Sequence, residues 1–155
     1  MREFNEKDAP AIVKILTEAF SDEIALGTLT TKQLIEFSKR PVQILVYENE
    51  ESAIAGFIIM AEESVEYPAQ SHLVAVKSAF RRKGIGRQLV RDGIRRAKAI
   101  GRKKVKLFTR PWNIGMRKMC AELCFVPEAH LRKDYLNEDL ILYSLSYQEE
   151  PQLVS

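Results

Sequence analysis

One segment constrains this chain more than any other. The run Ser71-His72-Leu73-Val74-Ala75-Val76 is followed by Arg81-Arg82-Lys83-Gly84-Ile85-Gly86, and then by a stretch with apolar residues at helical spacing. The first part reads as a strand. The last reads as an amphipathic helix, with Ile85, Leu89, Val90, Ile94 and Ala97 inward and Arg87, Arg91, Arg95, Lys98 and Arg102 as a basic stripe opposite. A helix that starts directly after a strand presents unpaired N–H groups and the positive end of its dipole at one point. Gly84 and Gly86 remove side chains that would hold an anion off the backbone. Arg81, Arg82, Lys83 and Arg87 add charged donors. The segment therefore predicts an anion site suited to a pyrophosphate.

Two common phosphate motifs do not fit. A dinucleotide fingerprint needs a third glycine where this chain has Leu89, and no G-x-x-x-x-G-K-[ST] run is present. Charge supports the anion site. From Arg81 to Lys106 there are twelve basic residues and one acid, Asp92, a local +11 within a chain of net +3, so the remainder carries −8. Such a block suits a phosphate-rich cofactor, a nucleic acid or an anionic membrane. It lacks interleaved aromatics apart from Phe80 and Phe108 and matches no nucleic-acid motif, so neither a nucleic-acid nor a membrane partner is expected.

Around this segment the periodicity alternates. Ala9, Ile12, Val13, Leu16 and Phe20 mark one helix, and Leu34, Ile35 and Phe37 mark a second over Thr31–Ser38. Val42–Tyr47 and Ile54–Met60 read as a hairpin around Glu48-Asn49-Glu50-Glu51. Gly101 stops the basic helix, Val105, Leu107 and Thr109 alternate as a strand, and Asn113 caps a helix carrying Met116, Met119, Cys120, Leu123 and Cys124. Strands near Phe125–Arg132 and Leu140–Leu145 close a terminal hairpin. A short strand at Arg2–Phe4 would give β-α-α-β-β-β-α-β-α-β-β. With 155 residues and no linker-like stretch, one domain over 1–147 is expected, with a frayed tail over 148–155. The polar N-terminus, the lack of a long apolar run and two helical, reduced cysteines point to the cytoplasm.

The segment Arg81-Arg82-Lys83-Gly84-Ile85-Gly86 resembles the [RQ]-x-x-G-x-[GA] signature of the GNAT superfamily of N-acetyltransferases. Downstream, Asn113-x-x-Met116-x-x-x-Cys120-x-x-x-Cys124-Phe125 is similar to that family's N-x-x-A-x-x-x-Y-x-x-x-G-F segment. The element order matches over essentially the whole chain. The resemblance implies an α/β fold: a splayed mixed sheet of about seven strands flanked by about four helices. It implies acetyl-CoA as acyl donor, no metal, and a primary amine of a small molecule or protein as acceptor. Backbone groups of Val74, Ala75 and Val76 would pair with the pantetheine arm, amides of Lys83, Gly84, Ile85, Gly86 and Arg87 would hold the pyrophosphate with Arg81 or Arg82 alongside, and Asn113 would contact the arm.

The chain departs from the family at the catalytic positions. The tyrosine that often protonates the leaving thiolate corresponds to Cys120, with water or Tyr135 as other acids. The glutamate some members use as base falls at Gln70, which leaves His72, two residues on, as the candidate base. Glu62, Glu63 and Glu66 are further candidates. Glu18, Asp22 and Glu23 give the first helix an acidic tilt suited to a cationic amine. The departures leave a second reading open, a non-catalytic coenzyme A-binding or regulatory module. The terminal hairpin and Leu153-Val154 would suit a homodimer.

Overall fold

The structure is a computed structural model, and it describes residues 1–20, 29–62, 69–135 and 137–147. Among these lie seven strands in one mixed sheet, ordered β1-β2-β3-β4-β5-β7-β6, and four α-helices. The elements are β1 (Arg2–Glu3), α1 (Ala9–Ala19), α2 (Thr31–Ser38), β2 (Val42–Glu48), β3 (Ile54–Glu62), β4 (Ala69–Val76), α3 (Ile85–Ala99), β5 (Lys104–Thr109), α4 (Ile114–Glu122), β6 (Val126–Tyr135) and β7 (Glu138–Ser146). The order is the expected one. The expected tail, with Leu153 and Val154, lies outside the described residues, as do Asp22, Glu23, Glu63 and Glu66.

Contacts group Met1–Glu62 with His72–Gly93 as one compact unit, and the first residues of β4 with Ile94 onward as a second. In the first unit the period-2 pattern of β3 separates two faces. Phe57 and Ile59 point with Ile44, Val46 and Ala75 into a core that Ala9, Ile12, Ile15 and Leu16 of α1 and Leu34 of α2 complete. Ile58 lies on the opposite face, beside Gly93 of α3. Each such side chain removed from water contributes about 1.5–3 kcal/mol, so burial on both faces holds the sheet between its helices. The β2–β3 turn is fixed by Asn49, whose Oδ1 accepts from the N–H groups of Glu51 (3.1 Å) and Ala53 (2.8 Å). Arg2 ties β1 to the start of α1: its Nη1 and Nη2 donate to the two carboxylate oxygens of Asp8 at 2.7 and 2.8 Å, and its Nε to Glu48 at 2.8 Å.

In the second unit β7 pairs antiparallel with both β5 and β6. Val105, Leu107 and Thr109 are buried with Ile141 and Tyr143 on one face. From α4, Arg117 reaches that face, its Nε 3.4 Å from the Tyr143 hydroxyl and its Nη1 donating to the Pro111 carbonyl at 2.8 Å.

Helices α3 and α4 end in the same way. After α3, Arg102 N–H donates to the Ala97 carbonyl and Gly101 N–H to that of Lys98, with Gly101 at φ +79°. After α4, Phe125 N–H donates to Cys120 and Cys124 N–H to Ala121, with Cys124 at φ 64°. Both are Schellman caps, which favour glycine at the left-handed position. The turn at the family's glycine therefore closes with the backbone shape a glycine would take, imposed on an exposed cysteine. That conformation costs a side-chain-bearing residue about 1 kcal/mol. Cys124→Gly is expected to raise the stability of the reduced protein by about 1 kcal/mol, roughly 3 °C in Tm. Denaturant or thermal unfolding checks this, and an unchanged or lowered midpoint would contradict the cap strain.

Candidate functional site

The strand-to-helix junction is built as follows. β4 ends at Val76, and Lys77 N–H donates to the Ala55 carbonyl at 2.9 Å, which keeps the strand end on β3. A single 3-10 turn, Ser78–Phe80, follows, and Arg81 N–H closes it on the Ser78 carbonyl. Two residues then adopt left-handed conformations, Arg82 at φ 65° and Gly84 at φ +80°. A Cβ at Gly84 would meet nothing within 4 Å, so it is the conformation and not the space that asks for glycine. The first ladder bond of α3 runs from Gln88 N–H to the Gly84 carbonyl at 3.0 Å. The amides of Ile85, Gly86 and Arg87 thus precede the helical ladder at the positive end of the dipole. Ile85 is buried and anchors the first turn, while Arg81, Arg82, Lys83 and Arg87 are exposed around it. Arg81 Nε donates to the Val76 carbonyl at 2.9 Å, and Lys83 Nζ sits 5.4 Å from the centre of the Phe80 ring. A non-glycine residue such as Arg82 held in the left-handed region is the kind of local strain that concentrates at binding sites.

Two participants were not picked out from the sequence. A Cβ on Gly56 of β3 would stand 2.9 Å from the Ala75 carbonyl oxygen and 3.2 Å from Leu89 Cδ1. Only glycine lets β3, β4 and α3 approach this closely; the sole sequence signal was an isolated glycine in a strand run. The other is Glu18. The sequence marks it only as part of an acidic tilt; in the fold it accepts the Ser78 N–H at 2.9 Å.

The catalytic candidates His72 and Cys120 are both buried. His72 is 5% exposed, and an added Cβ on Gly93 would lie 3.1 Å from its ring, so the imidazole fills the space that glycine leaves. Burial pushes its pKa down to about 4, which keeps the ring neutral at physiological pH. Gln70 is fully buried, and Glu62 is half-buried at the end of β3. Cys120 is fully buried in α4, and burial pushes its thiol up to about 11. Asn113 caps α4, its Oδ1 accepting from Met116 N–H at 3.1 Å. Val74, Ala75 and Val76, His72 and the residues 81–87 all belong to the first unit. Asn113 and Cys120 belong to the second.

The model of the acetyltransferase (GNAT) family matches residues 9–124. This chain belongs to the acetyltransferase (GNAT) family. Solved structures of the same fold include yncA from Salmonella typhimurium with its cofactor acetyl-CoA, at 21% identity, TM-score 0.85, and 96% of this chain and 94% of that one covered. An N-acetyltransferase from Staphylococcus aureus Mu50 superposes at 23% identity and TM-score 0.84, covering 94% and 96%. A chimera of the spermidine N-acetyltransferase SpeG from Vibrio cholerae and hSSAT does so at 15% and 0.79, covering 94% of each chain. No curated protein matches the sequence. Among the described residues no helix is long and apolar enough to cross a membrane.

The burial of His72 has a consequence for stability. Below about pH 6.5 the unfolded chain binds a proton at this residue, and the folded chain does not until about pH 4. Stability therefore falls as pH drops through that window, by up to about 3 kcal/mol from this group. His72→Gln removes the proton uptake, so its stability profile between pH 6.5 and 4 is expected to be flatter than the native one. Urea unfolding across that range gives the comparison, and parallel profiles would contradict a neutral, buried imidazole.

Proposed function

We propose that the protein is an acetyl-CoA-dependent N-acetyltransferase acting on a primary amine of a small molecule or protein, with 1–147 as one functional domain. The observation that carries this is the β4–α3 junction. Left-handed Arg82 and Gly84 bring the three amides that precede the helical ladder to one point among four exposed cations. That arrangement suits two adjacent phosphates better than a single carboxylate. In this reading the amides of Lys83, Gly84, Ile85, Gly86 and Arg87 hold the pyrophosphate, with Arg81 and Arg82 beside it. The backbone of Val74, Ala75 and Val76 pairs with the pantetheine arm as an added strand. Asn113, whose oxygen is taken by the cap, offers its amide nitrogen.

Acetyl-CoA supplies a thioester that a neutral amine attacks directly, through a tetrahedral oxyanion that a backbone N–H can stabilise. The surroundings of His72 and Cys120 favour packing roles for both. A thiol at about 11 is a weak acid, and an imidazole that titrates near 4 is a weak base at neutral pH. We therefore assign the proton movements to water: the attacking amine gives up its proton to solvent, and the departing thiolate regains one there. The alternative, a coenzyme A-binding module without transfer, would leave the thioester intact. Spermidine and other polyamines are the first acceptors to try, since a fold relative acts on spermidine.

Calorimetric titration of acetyl-CoA into the reduced protein tests the proposal. Micromolar binding is expected, with at least about 30-fold weaker binding for Gly84→Glu, which forces a left-handed side chain and an added negative charge onto the loop. Release of free coenzyme A thiol across an amine panel then separates enzyme from module. No binding by the native protein, or equal binding by the variant, would contradict the site.

A further inference from the structure

The junction holds one group that charge alone does not explain. Glu18 lies at the end of α1, exposed, yet its Oε1 accepts the Ser78 N–H at 2.9 Å across 60 residues of sequence. The Ser78 hydroxyl also bonds to it, and Lys77 and Arg81 lie near enough to add to the lowering of its pKa below the usual carboxylate range, which the two Ser78 bonds dominate. A carboxylate beside a loop of cations works against an incoming phosphate.

We propose that Glu18 is a positioning residue for the anion loop, holding the Ser78 turn so that Arg81 is fixed ahead of the first amides of α3. The inference rests on the cofactor reading given above. The connections run in sequence. The end of α1 is itself held, since Ile15 and Leu16 are buried in the core and Phe20 N–H closes on the Leu16 carbonyl at 2.9 Å. Glu18 fixes Ser78 from that helix. Ser78 in turn receives the Arg81 N–H at 3.2 Å, and the Arg81 side chain returns to the Val76 carbonyl at 2.9 Å. Arg81 is thereby restrained at its backbone and at its guanidinium. The ordering of a long cationic side chain before the ligand arrives lowers what binding must spend on ordering it. The gain has to exceed the repulsion that Glu18 brings, and this gives the idea a sign that electrostatics alone does not share.

The test compares the native protein with Glu18→Ala and Glu18→Gln by calorimetric titration with acetyl-CoA at low and moderate salt. Glu18→Ala loses both Ser78 bonds and the charge; about fivefold weaker binding is expected, because the relieved repulsion offsets part of what the two bonds contribute. Glu18→Gln keeps an acceptor for Ser78 N–H without the charge, and should bind at least as tightly as the native protein. If Glu18 acted only through its charge, both variants would bind more tightly, most clearly at low salt. That result, or equal weakening of both variants, overturns the proposal. Amide hydrogen exchange in the ligand-free protein keeps the test separate from the cofactor reading: Ser78 and Arg81 should exchange about fivefold faster in the Ala variant and near the native rate in the Gln variant. Unchanged exchange in the Ala variant also overturns it.

Discussion

The chain must turn out of β4 almost directly into α3, and much of the surrounding architecture follows from that requirement. The turn needs the left-handed conformations of Arg82 and Gly84. It also needs strand and helix close together, which Gly56 allows because a Cβ there would collide with the Ala75 carbonyl oxygen. On the same face Gly93 leaves room for the His72 ring. From the opposite side α1 reaches the Ser78 turn through Glu18. Glycines thus set the approach of β3, β4 and α3, and a carboxylate sets the turn between the last two.

The electrostatics follow the same plan. The +11 of residues 81–106 begins at this junction, where the helix dipole has its positive end. Positive charge, the first amides of the helix and two glycines coincide at the start of α3. Two buried titratable groups show the converse. His72 and Cys120 are each driven toward their neutral forms by burial, the imidazole down to about 4 and the thiol up to about 11. The loop cations stay exposed, whereas His72 and Cys120 are kept uncharged.

Much of this was legible in the sequence, for physical reasons that differ by residue. The order of strands and helices follows from hydrophobic period, and Asn113 and Gly101 announced their caps through their chemistry. Boundaries shifted slightly: β4 begins at Ala69 rather than Ser71, and β6 at Val126 because Phe125 completes the cap of α4. What sequence could not show depends on contacts across the fold. The period-2 pattern assigns His72 to a sheet face, but only α3 packed over that face reveals that the ring is buried against Gly93. Glu18 looks like any acid on an exposed helix until Ser78 is brought beside it. Gly56 reads as a weak strand residue until the Ala75 carbonyl stands where its side chain would be.

The central claim is that the first amides of α3, with the end of β4, receive acetyl-CoA. Amide hydrogen exchange of the native protein with and without acetyl-CoA measures this at the residues concerned. The account predicts slowed exchange at Lys83–Arg87 and at Val74–Val76, with the far end of the basic stripe, beyond Arg95, little changed. Slowing confined to that far end, with the junction untouched, would mean that the basic helix binds its ligand by charge and that the junction is only a turn.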